Sequence, residues 1–292
     1  MTDARAGHLA MLAFSLLVAG SFALGALSAN DISPSALNAL RFWVATLIIG
    51  SLAMATKGLP RSAAQAPWRY VLLAAFFCTY FVLMFEGLKT APAVSAAAVF
   101  TLTPILAAFF GWVLLGQMLT PRMALALVIG AAGALWVIFR ADFAALLRFE
   151  IGRGEFIYFW GVVAHAVYTP LVRKLNRGES AIVFTFGVLL AGAVLLTLWG
   201  WRDIVETDWT HLPKIVWITI LYTAVFASAS TFVLLQFATL RLPSSKVMAY
   251  TYLTPSWVIV WGLALGGAAP PGLVLVGLLL TITALVMLLR ED

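Results

Sequence analysis

The chain has 292 residues, 63% of them hydrophobic and 10% charged, with a formal net charge of +6. Soluble domains carry roughly 25% charged residues, so the composition excludes a soluble enzyme or nucleic-acid-binding domain and points into lipid, where the basic surplus reflects topology and contact with anionic headgroups. A single cysteine, Cys78, excludes an intrachain disulfide and sits in an apolar run as a packing residue.

Apolar runs near 9–29, 35–56, 70–88, 93–115, 122–139, 155–173, 181–200, 214–237, 243–265 and 271–289 have the length that crosses ~30 Å of hydrocarbon. Backbone polar groups in lipid must be satisfied within each segment, which predicts ten transmembrane helices. The first run is not followed by a small-residue cleavage site, so it is expected to be a retained span.

Along the chain, few polar groups interrupt these runs, and each is a candidate because an unpaired ionisable group at mid-membrane costs at least ~2.5 kcal/mol. In span 2, Arg41 is expected to pair with backbone carbonyls or outer headgroups. Span 3 carries Thr79 and Tyr80 at its middle and Glu86 near its outer end, solvated or paired with Lys89. Span 4 contains Pro104, which would free the carbonyl of Phe100; the preceding threonine could rescue it. The segment 140–154, RADFAALLRFEIGRG, divides the chain in two and is either an interfacial segment, through Phe143, Leu146, Leu147 and Ile151, or a plain linker.

In span 6, Trp160, Ala164 and Tyr168 follow i, i+4, i+8 and are read as one stripe, with His165 at its edge. Neutral imidazole can donate one hydrogen bond and accept another. Such a stripe is either packing or a wall for aromatic cargo. Trp199, Trp201 and Trp209, around the loop 201–213, suit the headgroup region. Span 8 offers Tyr222 and Thr223, and span 9 offers Tyr250, Tyr252 and Pro255. Lys246, one turn into span 9, either anchors the helix by snorkelling or meets a substrate carboxylate.

Residues 92–116 and 243–267 align without gaps and are identical at eight of 25 positions, among them Pro92/Pro243, Pro104/Pro255, Gly111/Gly262 and Gly116/Gly267. With five spans between the copies, the second is expected to be inverted relative to the first, as in many secondary transporters whose site lies where the halves meet. The paired kinks at Pro104 and Pro255 are then candidate gates. With the N-terminus inside, ten lysines and arginines fall on the cytoplasmic side and six outside, which favours cytoplasmic termini. The small-residue series Ala107-xxx-Gly111 and Ala126-xxx-Gly130 suit close helix packing or a dimer surface.

ALNALRFWVA around Arg41, LKTAPAVSAAAVFTLTP at the entry to span 4, GEFIYFWGVVAHAVYTPLVRKL opening the second half and the LTP of spans 4 and 9 follow one another in a telling order. In that order the chain resembles, over essentially its whole length, the drug/metabolite transporter superfamily in its ten-helix branch of two EamA-type repeats. Within that branch it looks most like the YddG-type exporters of aromatic and other amino acids. Family members often carry a glutamate just after span 4; this chain has Gln117 there and Ala268 at the equivalent place, so a role for that acid does not carry over.

The combined expectation is an all-α integral membrane protein of ten transmembrane helices, built as two inverted five-helix repeats (1–145 and 146–292) around a central cavity. The resemblance implies export of small organic metabolites, amino acids including aromatic ones, across the bacterial inner membrane by alternating access. Tyr80, Trp160, His165, Tyr168, Tyr222, Lys246 and Tyr250 are the candidate binding residues. No metal-ligand spacing, nucleophile elbow or nucleotide loop is present, so no cofactor, metal or ATPase subunit is expected, and the protein would be a monomer or weak dimer. Facilitated diffusion and proton coupling both stay open. A multidrug or quaternary-amine exporter of the same fold and an intramembrane lipid-modifying enzyme are the alternatives.

Overall fold

The computed structural model describes residues 3–56, 58–139, 141–148 and 151–289. Arg140 and Glu150 of the segment 140–154, the side chains of its Leu146, Leu147 and Arg148, and Lys57 and Arg290, both in the cytoplasmic charge count, fall outside the described residues. Among the described residues the regular structure is helical, with no strand. Among the described residues, eight helical stretches are long and apolar enough to cross a membrane.

In chain order the helices are α1 (Asp3–Ser28), α2 (Pro34–Thr56), α3 (Trp68–Leu88), α4 (Ala93–Phe100), α5 (Thr103–Leu115), α6 (Pro121–Ile138), α7 (Phe143–Arg148) and α8 (Arg153–Leu175). They continue with α9 (Ala181–Trp199), α10 (Trp201–Glu206), α11 (Lys214–Ala224), α12 (Thr231–Thr239), α13 (Ser244–Ala249), α14 (Thr254–Ala264) and α15 (Val274–Leu289). Two of the ten expected spans fall on helices of a different character. α8 carries Arg153 and Glu155 at one end and Arg173 and Lys174 at the other, and α15 is only 16 residues long.

Local chemistry sets the boundaries. Thr120 caps α6 by accepting from the N–H of Met123, and Pro121 fills a first-turn position where no N–H is needed. Ser180 caps α9 in the same way through Val183. Gly116, at φ +66°, ends α5 in the left-handed conformation that glycine adopts without strain.

Three of the spans are interrupted. Thr101–Leu102 separates α4 from α5, a 3₁₀ turn at Tyr250–Leu253 separates α13 from α14, and a π-helical stretch at Val225–Ser230 separates α11 from α12. Pro104 and Pro255 therefore do not kink continuous helices; each occupies the first turn of a new one, where a missing N–H costs little. The hydroxyl of Thr103 donates to the Phe100 carbonyl, as the sequence suggested. At the second junction the buried Thr254 hydroxyl has no partner.

The π-helical stretch explains Arg41. Widening the turn frees backbone carbonyls, and the wholly buried guanidinium donates to the Ala227 carbonyl at 2.9 Å, the Ser228 hydroxyl at 2.7 Å and the Asn38 amide oxygen at 3.2 Å. It also lies 3.7 Å over the Phe81 ring, so Arg41 ties α2 to the π-helical stretch.

α3 packs on α8, α6 on α15 and α2 on α9, while α1 contacts α11, α12 and α14. The α3–α8 crossing is close because a Cβ on Gly154 would sit 2.3 Å from the Gly87 carbonyl oxygen. The small residues singled out in the sequence serve packing within the chain: Gly130 faces Tyr252, and Gly111 faces Gln117 and Ser244. Glu86 pairs with Lys89 at 2.7 Å. Arg69, one of the ten lysines and arginines counted on the cytoplasmic side, is buried and pairs with Glu179 at 2.7 Å, while also donating to the Leu175 carbonyl.

Candidate functional site

One face of α8 presents Tyr158, His165 and Tyr168, all buried, to an aromatic cluster. α3 supplies Phe77, Tyr80 and Phe81 at i, i+3, i+4; α4 supplies Phe100, α12 supplies Phe232, and α1 supplies Phe22. Phe77 stacks on Tyr168 at 4.2 Å between centroids, and Tyr80 stacks on His165 at 4.5 Å. Phe77 and Phe100 lie 5.2 and 5.4 Å from the same imidazole, so His165 is enclosed by three rings.

Polar groups converge on this cluster. The Tyr158 hydroxyl donates to that of Tyr80 at 3.3 Å, and the Gln236 amide nitrogen donates to the Tyr168 hydroxyl at 3.3 Å. Both ring nitrogens of His165, and the side-chain oxygen of Gln236, are buried without a protein hydrogen-bond partner. Leaving a buried donor or acceptor unsatisfied costs about 1–3 kcal/mol. Three such atoms around one aromatic stack are hydrogen-bonding capacity that a polar guest could use.

Of the seven binding residues expected from the sequence, Tyr80, His165 and Tyr168 come together here. Trp160 does not. It is 54% exposed and touches Phe156 and Phe159 on the outer surface of α8. At about 100° per residue, Trp160 lies roughly 140° around the helix from His165 and about 160° from Tyr158, so it points away from the cluster, whereas i, i+7 places Tyr158 and His165 nearly in line. Tyr222 lies apart: its hydroxyl donates to the Leu17 carbonyl at 2.9 Å and its ring meets Trp261. Tyr250 is buried against His8, with 6.0 Å between ring centroids.

Lys246 lines a separate cavity of about 220 Å³ with Gln117, Arg173, Pro243 and Ser245. Two cations from different helices face this space. Gln117 accepts a hydrogen bond from the backbone N–H of Ser244 at the start of α13, 3.1 Å away. An amide oxygen therefore does at this position what a carboxylate oxygen could do.

Sequence reasoning missed Tyr158, Gln236 and the aromatic partners. An amide in an otherwise apolar run marked Gln236, and the i, i+7 spacing to His165 marked Tyr158; nothing local told which phenylalanines would meet them. Glu155, near the start of α8, is buried and accepts from the Ser95 hydroxyl at 2.7 Å. Among the described residues no group of three or more histidine, cysteine, aspartate or glutamate side chains is placed to hold a metal ion.

A helical bundle with several membrane-spanning helices and a buried aromatic-polar cluster defines a multi-pass membrane protein. The EamA-like transporter family matches residues 5–139 and again residues 152–290, and the chain belongs to that family. It is similar to "Uncharacterized transporter YyaM" of Bacillus subtilis (strain 168), at 24% identity over 261 residues covering 89% of this chain and 86% of that protein. The fold is similar to a solved crystal structure at TM-score 0.75 and 22% identity, covering 99% of this chain and 97% of the other.

Proposed function

We propose that the protein is a secondary exporter of amino acids, aromatic ones included, of the YddG-type branch, and that it is not an enzyme. In this reading ten helices cross the bacterial inner membrane as two inverted halves, 1–145 and 146–292, with both termini cytoplasmic. Alternating access proceeds by movement of one half against the other around a fixed site. The observation that carries the reading is the unsatisfied imidazole of His165 on α8, enclosed by rings of α3 and α4, so that helices from the two family-matched segments meet at it. An aromatic side chain would insert among those rings, and its amino or carboxylate group would use the free hydrogen-bonding atoms of His165 and Gln236. Lys246 and Arg173 would first draw the carboxylate into the cytoplasmic-side cavity. The buried charge of Arg41, over Phe81, repels a second fixed cation and so disfavours a quaternary amine relative to a zwitterion.

Counterflow in proteoliposomes tests the substrate class. Labelled phenylalanine, tyrosine and tryptophan should accumulate against an unlabelled internal pool, and a labelled quaternary amine should not. Accumulation of the amine alone would sink the amino acid reading in favour of a multidrug exporter. Cysteines at Asp31, Arg122, Asp208 and Arg241, in a Cys78→Ala background, test the topology. The first and third should react from outside and the other two only after permeabilisation; any other pattern rejects the inverted arrangement.

A further inference from the structure

A groove of about 610 Å³ runs along the outer surface of the bundle between α3 and α9, beneath the connection 58–67. Tyr70, Val71, Val183, Phe186, Leu190 and Val194 line it, together with Arg61. Pro60 and Val183 are shared with a second cavity of about 320 Å³ whose remaining walls are Ser62, Gln65, Arg177, Gly178, Glu179 and Ser180. An apolar groove thus adjoins a polar chamber across shared walls. Hydrophobic walls take a hydrocarbon chain, and a chamber at the membrane surface takes a head group.

The charges of the chamber and of the adjoining groove, Arg177 and Glu179 in the first and Arg61 in the second, select the sign of that head group. The chamber's one acid, Glu179, already accepts from Arg69 at 2.7 Å and from the backbone N–H of Arg177 at 2.6 Å. Arg61 and Arg177 are exposed and form no ion pair among the described residues. Two arginines with unspent charge, reached from two different connections, match a phosphate group, which guanidinium binds with charge-assisted hydrogen bonds.

We propose that this is a binding site for an anionic phospholipid, its phosphate between Arg61 and Arg177 and one acyl chain along the groove. The lipid would sit beside the Arg69–Glu179 pair and bridge the connections 58–67 and 176–180, which belong to the two family-matched segments. This inference is independent of the substrate.

Native mass spectrometry of the delipidated full chain in detergent, titrated with phosphatidylglycerol or with phosphatidylcholine of the same acyl chains, tests it. One phosphatidylglycerol per chain should bind about tenfold tighter than phosphatidylcholine. Arg61→Gln with Arg177→Gln should weaken phosphatidylglycerol by about tenfold or more and leave phosphatidylcholine unchanged, each exposed arginine contributing electrostatic attraction near the surface. The single variants should each give part of that loss, which keeps the test open if the double variant folds poorly. Val194→Phe, which narrows the groove, should weaken both lipids. Equal binding of the two lipids, an unchanged preference in the arginine variants, or full competition by glycerol phosphate would each overturn the proposal.

Discussion

Phe77 of α3 and Tyr168 of α8 lie ring on ring, 4.2 Å between centroids and 9° between planes. The two residues come from the two segments that the family matches separately, so this stack couples one to the other inside the bundle. Face-to-face rings at that spacing leave no room for a third between them. Insertion of an aromatic side chain therefore requires α3 and α8 to shift, although the glycine contact at Gly87 and Gly154 holds them close.

Replacing His165 separates packing from function. His165→Phe keeps the ring in the stack and removes two unpartnered polar atoms, so stability should rise by about 1–2 kcal/mol. Amino acid counterflow should fall by about tenfold or more, because the hydrogen bonds to the guest are lost. Thermal unfolding in detergent and counterflow in liposomes measure the two effects. Wild-type transport in a more stable variant would show that the imidazole only fills space.

Trp160 provides the opposite control. Its indole faces outward at 54% exposure, so Trp160→Ala should leave transport of every substrate within about twofold, surface changes being usually within ±0.5 kcal/mol. Tyr168→Ala, by contrast, opens a cavity in a packed stack and should cost about 3–5 kcal/mol, as large aromatic truncations do. A selective loss of large substrates in Trp160→Ala would return the indole to the binding site.

Pro104 and Pro255 remain our proposed gates, as first-turn residues of α5 and α14. An alanine restores the N–H and allows each break to close into regular helix, which should slow transport while leaving substrate affinity near wild type. The effect should be larger for Pro255→Ala. Thr103 already serves the Phe100 carbonyl, whereas the Thr254 hydroxyl has no partner, so the second junction has more to gain from a regular turn. Equal and unchanged rates in both variants would be evidence for static junctions.

The Arg69–Glu179 pair makes a pH-dependent contribution to stability. Burial raises the Glu179 pKa, but hydrogen bonds from Arg69 and from the backbone N–H of Arg177, with the Arg69 charge, outweigh it and hold the carboxyl below its ordinary value. A depressed folded-state pKa stabilises above the unfolded-state value and is lost as pH falls through the folded-state one. The melting temperature of the wild type should therefore drop relative to Glu179→Gln as pH is lowered from 6 to about 3, crossing the ordinary carboxylate range. Parallel curves for the two proteins would remove the pair from the stability account.

Much of the architecture was legible because lipid is an unforgiving solvent. Long apolar runs must be helical, and the spacing of Pro92, Pro104, Gly111 and Gly116, repeated from Pro243 to Gly267, showed that one segment occurs twice. The family model matches the chain over two separate ranges, 5–139 and 152–290. Composition also determined that His165 and Lys246 would be costly enough to need a reason.

What only the tertiary structure decided is which faces meet. Spacing placed Trp160 with Tyr168, but the helix turns by about 100° per residue and the neighbours of α8 took the face of Tyr158 and His165 instead. Arg41 acquired its partners from a π-helical stretch 186 residues away along the chain, and Arg69 acquired Glu179, 110 residues away. In a chain where nearly every helix is apolar all round, hydrophobicity does not say which side packs inward. Close contacts such as Gly87 with Gly154, and the few hydrogen bonds between helices, make that choice, and they exist only once the helices are assembled.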